Sequence, residues 1–151
     1  ADWKPMNSKF GLNLGYTFTD SYDANTCDPD ELEAYDDNEC RLKGNKIVDA
    51  KVRVPRHAFE SNINYSTSEN FKSFLKGKYI SETRDFGNTN DSWTDQILTD
   101  YFVFDFVSTY NLFDNYKIQF GINNIFDEKY QQAHEYSTMG RTFNLGIRRV
   151  Y

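Results

Sequence analysis

Six stretches of this chain alternate between greasy and polar side chains with a period of two, a constraint that only β-strands with two unlike faces satisfy. Residues 10–18 set Phe10, Leu12, Leu14, Tyr16 and Phe18 on one face and Gly11, Asn13, Gly15 and Thr17 on the other. The pattern returns at 57–66, with Phe59, Ile63 and Tyr65 against Ala58, Glu60, Asn62 and Asn64. At 71–82, Phe71, Leu75, Gly77 and Tyr79 oppose Lys72, Lys76, Lys78 and Glu82, and Phe74 and Ile80 intrude on the polar side. Residues 101–112 carry Phe102, Phe104, Phe106, Tyr110 and Leu112 against Asp105, Thr109 and Asn111. Residues 116–126 carry Tyr116, Ile118, Phe120, Ile122 and Phe126 against Lys117, Gln119, Gly121 and Asn123. Finally, 141–151 set Phe143, Leu145, Ile147 and Tyr151 opposite Thr142, Asn144, Gly146 and Arg148. Connections at 67–70 and 113–115 are short, whereas those at 20–56, 86–100 and 127–140 are long and are expected to be loops.

The composition says what the two faces meet. Thirteen Phe and eleven Tyr stand beside a mean hydropathy of −0.77, so aromatic and polar residues are segregated by position. No apolar run approaches the roughly 18 to 20 residues of a spanning helix, while a tilted membrane strand needs only about 9 to 11. Long and short connections in alternation, an aromatic face without Val and an opposite face of Lys, Asn, Gln, Thr and Gly all suit an all-β, antiparallel transmembrane barrel wall. A soluble sandwich also alternates, but buries its apolar face. Six strands are too few to close a barrel, since single-chain barrels begin at about eight, and an open edge in hydrocarbon leaves backbone groups unpaired. The six are therefore expected to belong to a larger up-and-down barrel. The weak alternation of Ile47, Asp49, Lys51 and Arg53 is read as loop. Ala1 is followed by no charged-then-apolar leader, so either a signal peptide has been removed or an earlier part of the protein is missing.

The formal charge of −6 comes from one place. Asp20, Asp23, Asp28, Asp30, Glu31, Glu33, Asp36, Asp37 and Glu39 lie in a stretch without Lys or Arg, outside which 17 basic residues face 14 acidic ones. Neither balance makes a nucleic-acid binder, which needs clustered cations. Clustered carboxylates suit Ca2+, but the EF-hand spacing and its central Gly are absent, and a solvated charged loop is the plainer reading. Cys27 and Cys40 bracket this stretch, and with no further cysteine or nearby His for a metal they are expected to form a disulfide, which implies an oxidising compartment. His57 opens a strand. His134 lies near Tyr130, Tyr136 and Arg141, and with Trp93 these residues form a candidate surface for an aromatic or anionic ligand, Trp93, His134, Tyr136 and Arg141 being the contacts. No nucleophile–base pairing occurs at a telling spacing, so the chain reads as non-enzymatic, with no cofactor other than that possible Ca2+.

The run Gly121-Ile122-Asn123-Asn124-Ile125-Phe126-Asp127-Glu128-Lys129-Tyr130 starts as strand and breaks where Asp suits a turn. Here the sequence resembles the TonB-dependent outer-membrane receptors near their C-terminus. Asn124-Ile125-Phe126-Asp127 and Tyr130 match the family's NLFD-and-Tyr motif, Gly140-Arg141 matches the pair that opens its final strand, and Tyr151 stands where the family ends in Phe. Leu42-Lys43-Gly44-Asn45-Lys46 with Val54-Pro55-Arg56-His57, and Tyr16-Thr17-Phe18-Thr19-Asp20, look like earlier strand approaches and ends of that family. The resemblance implies that residues 1–151 are the C-terminal part of a 22-stranded barrel in the bacterial outer membrane, with the long loops extracellular and the plug domain outside this sequence. It also implies contact with outer-membrane lipid, coupling to the TonB complex through that plug, and active uptake of a small-molecule metal chelate such as a ferric siderophore, with cobalamin, haem and oligosaccharide as other cargoes carried by relatives. Lys76, Asp105, Gln119 and Arg148 would then line the lumen. A small complete barrel with a structural or adhesive role, and a soluble carbohydrate-binding sandwich, are the rival readings.

Overall fold

The computed structural model describes residues 1–5, 8–24, 40–43, 46–89, 92–113 and 115–149, with side chains outside 22–50 and 88–95. The strands, numbered along the chain, are β1 (Asp2–Trp3), β2 (Phe10–Phe18), β3 (Tyr22–Ala24), β4 (Cys40–Lys43), β5 (Lys46–Ala50), β6 (His57–Ser68) and β7 (Phe71–Ile80). They continue with β8 (Thr83–Thr89), β9 (Ser92–Leu98), β10 (Tyr101–Leu112), β11 (Tyr116–Asn123), β12 (Gln131–Ala133), β13 (Tyr136–Ser137) and β14 (Thr142–Arg149). All six expected strands form. They pair antiparallel with next neighbours in one seven-stranded sheet, β1-β2-β6-β7-β10-β11-β14, in which the two-residue β1 is an addition.

Register shows why the alternation matters. Phe10, Leu12, Tyr16 and Phe18 lie opposite Tyr65, Ile63, Phe59 and His57, and Ile63 opposite Leu75. Leu75 then meets Phe106, Phe106 meets Ile122, and Ile122 meets Phe143. Directly opposed residues share a face, so a single aromatic and aliphatic surface runs unbroken across the sheet. Arg149, at the short-turn end beside Tyr116, is the one charge this face carries among the described residues. Small residues fill the gaps between rings. Ser73 and Ser108 hydrogen bond to each other at 3.3 Å. The Phe104 ring lies over Gly77, where a Cβ would sit 2.9 Å from its Cε1.

This face is not a core. Phe143, Leu145 and Ile147 are 66, 73 and 70% exposed, and among the described residues the buried apolar side chains are Leu98 and Tyr101. A sandwich would hide those rings; a wall leaves them for another apolar medium. The opposite face carries Glu60, Lys72, Lys76, Lys78, Asp105, Lys117, Gln119 and Arg148, together with Asn13, Asn62 and Asn144. Phe74 and Val107 pair on that polar face, as the irregular third strand foreshadows.

The long connections depart from expectation. Within 20–56, β3, β5 and β4 form a separate three-stranded sheet, so the stretch around Ile47 and Asp49 is strand and not loop. Within 86–100, most of a β8–β9 hairpin forms, and within 127–140 the β12–β13 pair. The reason is physical: strands outside the seven-stranded sheet do not share its continuous apolar face, so the alternation that marks the wall does not mark them. Residues 25–39, with Cys27 and most of the acidic run, and Tyr151 lie outside the described residues, as does the Trp93 side chain on β9. Cys40 begins β4.

Candidate functional site

At the long-loop end two polar clusters fasten the connections to the wall. The first is built by the run 124–130. Asn124 takes a positive φ of 51° and is 4% exposed. Its backbone N–H donates to Asp105 Oδ1 at 2.8 Å, its Nδ2 donates to the Glu128 carbonyl at 2.9 Å, and its Oδ1 accepts the Glu128 N–H at 2.8 Å. Asp127, also at positive φ (56°), accepts the Arg141 N–H at 2.8 Å and so ties this turn to the start of β14. Gly140 is required there, since a Cβ would come 2.5 Å from Asp127 Oδ1. Phe126 packs edge-on against Phe104 on the aromatic face, and Tyr130 stacks on Tyr101 with centroids 4.2 Å apart. Hydrogen bonds from Arg141 and Lys129 hold the Asp127 carboxyl below its ordinary pKa.

The second cluster centres on Asp85, 1% exposed in β8. It accepts the Arg53 Nε–H at 2.8 Å, the Phe86 N–H at 2.8 Å and the His134 N–H at 2.6 Å. Arg53, at a φ of 60°, also donates its backbone N–H to the Arg84 carbonyl at 2.8 Å. Burial alone would raise the Asp85 pKa, but the hydrogen bonds from His134, Arg53 and Phe86 outweigh it and leave the carboxyl below its usual value. One carboxylate thus joins three connections: the approach to β6, the β8–β9 hairpin and the β12–β13 turn.

The structure sorts the expected site residues. His134 is drawn onto the β8–β9 hairpin, its ring against Gly87, and what it gives Asp85 is its backbone N–H. Tyr136 is 74% exposed on β13, Arg141 is exposed and engaged through its backbone, and Trp93 pairs with Asn88 in the hairpin backbone. His57 lies on the aromatic face with Nδ1 2.8 Å from the Tyr16 hydroxyl. Lys76, Gln119 and Arg148 occupy the polar face as expected, whereas Asp105 is already engaged by Asn124. Asp85 and Arg53 were not foreseen, because nothing in the local pattern distinguishes them from other loop charges. Among the described residues no three His, Cys, Asp or Glu side chains gather as a metal site.

The family described as "TonB dependent receptor-like, beta-barrel" matches residues 1–125. The chain belongs to the TonB-dependent receptors. They are outer-membrane proteins, transporters and not enzymes, so the aromatic face is the lipid-facing outside of the wall, the polar face the lumen side, and the long-loop end extracellular. The solved structures similar to it include the ferripyoverdine receptor of the outer membrane of Pseudomonas aeruginosa, at 13% identity and a TM-score of 0.64 over 96% of this chain and 18% of that one. The ferric-catecholate import receptor Fiu of E. coli K12 matches at 17% identity and a TM-score of 0.65, over 96% and 19%. The siderophore receptor PiuA of Acinetobacter baumannii matches at 20% identity and a TM-score of 0.64, over 95% and 20%. The chain spans about a fifth of the length of these receptors, and the likeness is one of fold. No curated protein matches it in sequence.

Proposed function

We propose that residues 1–151 form the C-terminal wall of a TonB-dependent active importer that takes up a scarce metal chelate, a ferric siderophore above all. The observation that carries this reading is the two-sided open wall. Its outside has one charge among the described residues, its lumen side is charged and amide-rich, and three connections are tied together at its extracellular rim. The family match supports uptake, and the names of the similar structures, each a receptor for a ferric chelate or siderophore, support the cargo class. The plug and its TonB-contacting segment would be supplied by the rest of the receptor. Closure falls to strands beyond the seven of this sheet, since each unpaired edge group in hydrocarbon costs several kcal/mol.

Uptake of iron-55 by a siderophore-requiring strain carrying the whole receptor tests the proposal. Uptake is expected to vanish when either the receptor or TonB is deleted. Uptake that survives loss of TonB, or a receptor that moves cobalamin, haem or oligosaccharide and no ferric chelate, overturns it. The cysteine pair is part of the same reading: Cys27 and Cys40 close the acidic loop outside the cell, worth about 3 kcal/mol through loop entropy. Reduction should add the mass of two hydrogen atoms to the exported receptor, and an unchanged mass would exclude the bridge.

A further inference from the structure

Below the Asp85 cluster, on the lumen side, lies a pocket of about 220 Å3 lined by Arg53, Pro55, Lys78, Ile80, Thr83, Tyr101, Gln131 and Gln132. Its charged lining is a guanidinium and an ammonium, joined by a hydroxyl, two amides and a phenol. Among the described residues no carboxylate lines it. Asp85 is spent elsewhere: its two oxygens take the Arg53 Nε–H and two backbone N–H groups, and it is 1% exposed. A guanidinium has five N–H donors, so the bond through Nε fixes Arg53 while four remain on its two Nη groups. Lys78 is set by the β7 register, directly opposite Val103 on β10 and Glu60 on β6, and Glu60 does not line the pocket. Tyr101, 8% exposed and stacked on Tyr130, gives the pocket a rigid wall.

We infer that this pocket is an oxyanion subsite of the lumenal rim, in which Lys78 and Arg53 bind a carboxylate group of a small ligand. Its volume lies below the roughly 300 to 1,000 Å3 of sites that enclose a whole small molecule, so it takes one acidic group of a larger ligand. Asp85 is a positioning residue: it touches no ligand and holds the guanidinium in place. The inference deepens the uptake proposal by giving the cargo an acidic group, and rests on it for the identity of that cargo.

The test is calorimetric titration of malonate into the detergent-solubilised full-length receptor at low ionic strength, which requires neither TonB nor a known cargo. Charge-assisted hydrogen bonds of this kind make Lys78→Met weaken malonate binding by about tenfold or more. Lys72→Met, on the same strand and face but outside the pocket, should bind as the unaltered receptor does. Arg53→Gln also disturbs the Asp85 cluster, so Lys78→Met, which leaves that cluster intact, decides. Equal binding by Lys78→Met, or an equal loss in Lys72→Met, overturns the subsite. So does absence of malonate binding to the intact receptor, the result expected if an acidic group of the receptor itself fills the pocket. In all three cases TonB-dependent iron uptake would stand or fall by its own assay.

Discussion

Asp85 shows how a single side chain organises a receptor rim. Its carboxylate is almost fully removed from water yet makes three hydrogen bonds, two of them to backbone N–H groups that would otherwise need partners of their own. Asp85→Asn keeps the shape but loses the charge and offers an N–H where an acceptor is needed. It should cost about 1–3 kcal/mol of local stability, seen as faster hydrogen exchange at the His134 amide, while the wall strands keep their protection. The pH dependence follows from the direction of the shift. Because the folded pKa lies below that of the unfolded chain, the stabilisation is complete above the ordinary carboxylate value of about 3.9 and disappears as pH falls through the lowered one. His134 protection should therefore be the same at pH 7 and pH 5 and collapse only in stronger acid; loss between pH 7 and pH 5 would mean that another group controls the cluster. The Asn124–Asp127 turn shows the same economy, since its two positive-φ positions are held by Asn and Asp, residues that tolerate that region.

At the scale of the strand, the two faces make opposite predictions for the same substitution. Leu75 lies mid-strand on the lipid side between Ile63 and Phe106, so Leu75→Arg places a charge near the centre of the hydrocarbon layer, at a cost of about 2–4 kcal/mol. Gln119→Arg, on the lumen side of β11, should change stability by no more than about 0.5 kcal/mol. Urea unfolding of the whole receptor in lipid vesicles compares them, and equal costs would mean that the faces are wrongly assigned. The wall was legible in the sequence because lipid imposes the alternation: Phe102, Phe104 and Phe106 have to project to the same side. Even the irregular β7 declared itself, with Phe74 on the polar face beside Val107. The loop strands obey no such rule, so β3, β4 and β5 were read as loop, although Gly44-Asn45 between β4 and β5 is the kind of dipeptide that joins hairpins. Of the residues expected to contact a ligand, His134 and Arg141 are held at the rim through their backbone N–H groups. Their backbone roles could not be foreseen, because they depend on Asp85 and Asp127 reaching across 49 and 14 residues.

For the whole molecule, the decisive quantity is the unpaired edge. The sheet begins at the two-residue β1 and ends at β14, each with one strand neighbour, and the groups along the outer side of β14 have no partner strand among the described residues. In water such an edge recruits other chains, and in a bilayer every unpaired N–H or C=O costs several kcal/mol. Eight residues of β14 therefore expose more unfavourable free energy than the roughly 5–15 kcal/mol by which a folded domain is stable. It follows that residues 1–151, expressed alone and offered to detergent or lipid vesicles, should form no heat-resistant monomer on a gel and should aggregate. A full-length receptor whose further strands pair both edges should instead migrate as a compact, heat-modifiable species. A monomeric, protease-resistant 151-residue barrel would show that the chain closes on itself, and the account of it as part of a larger wall would have to be abandoned.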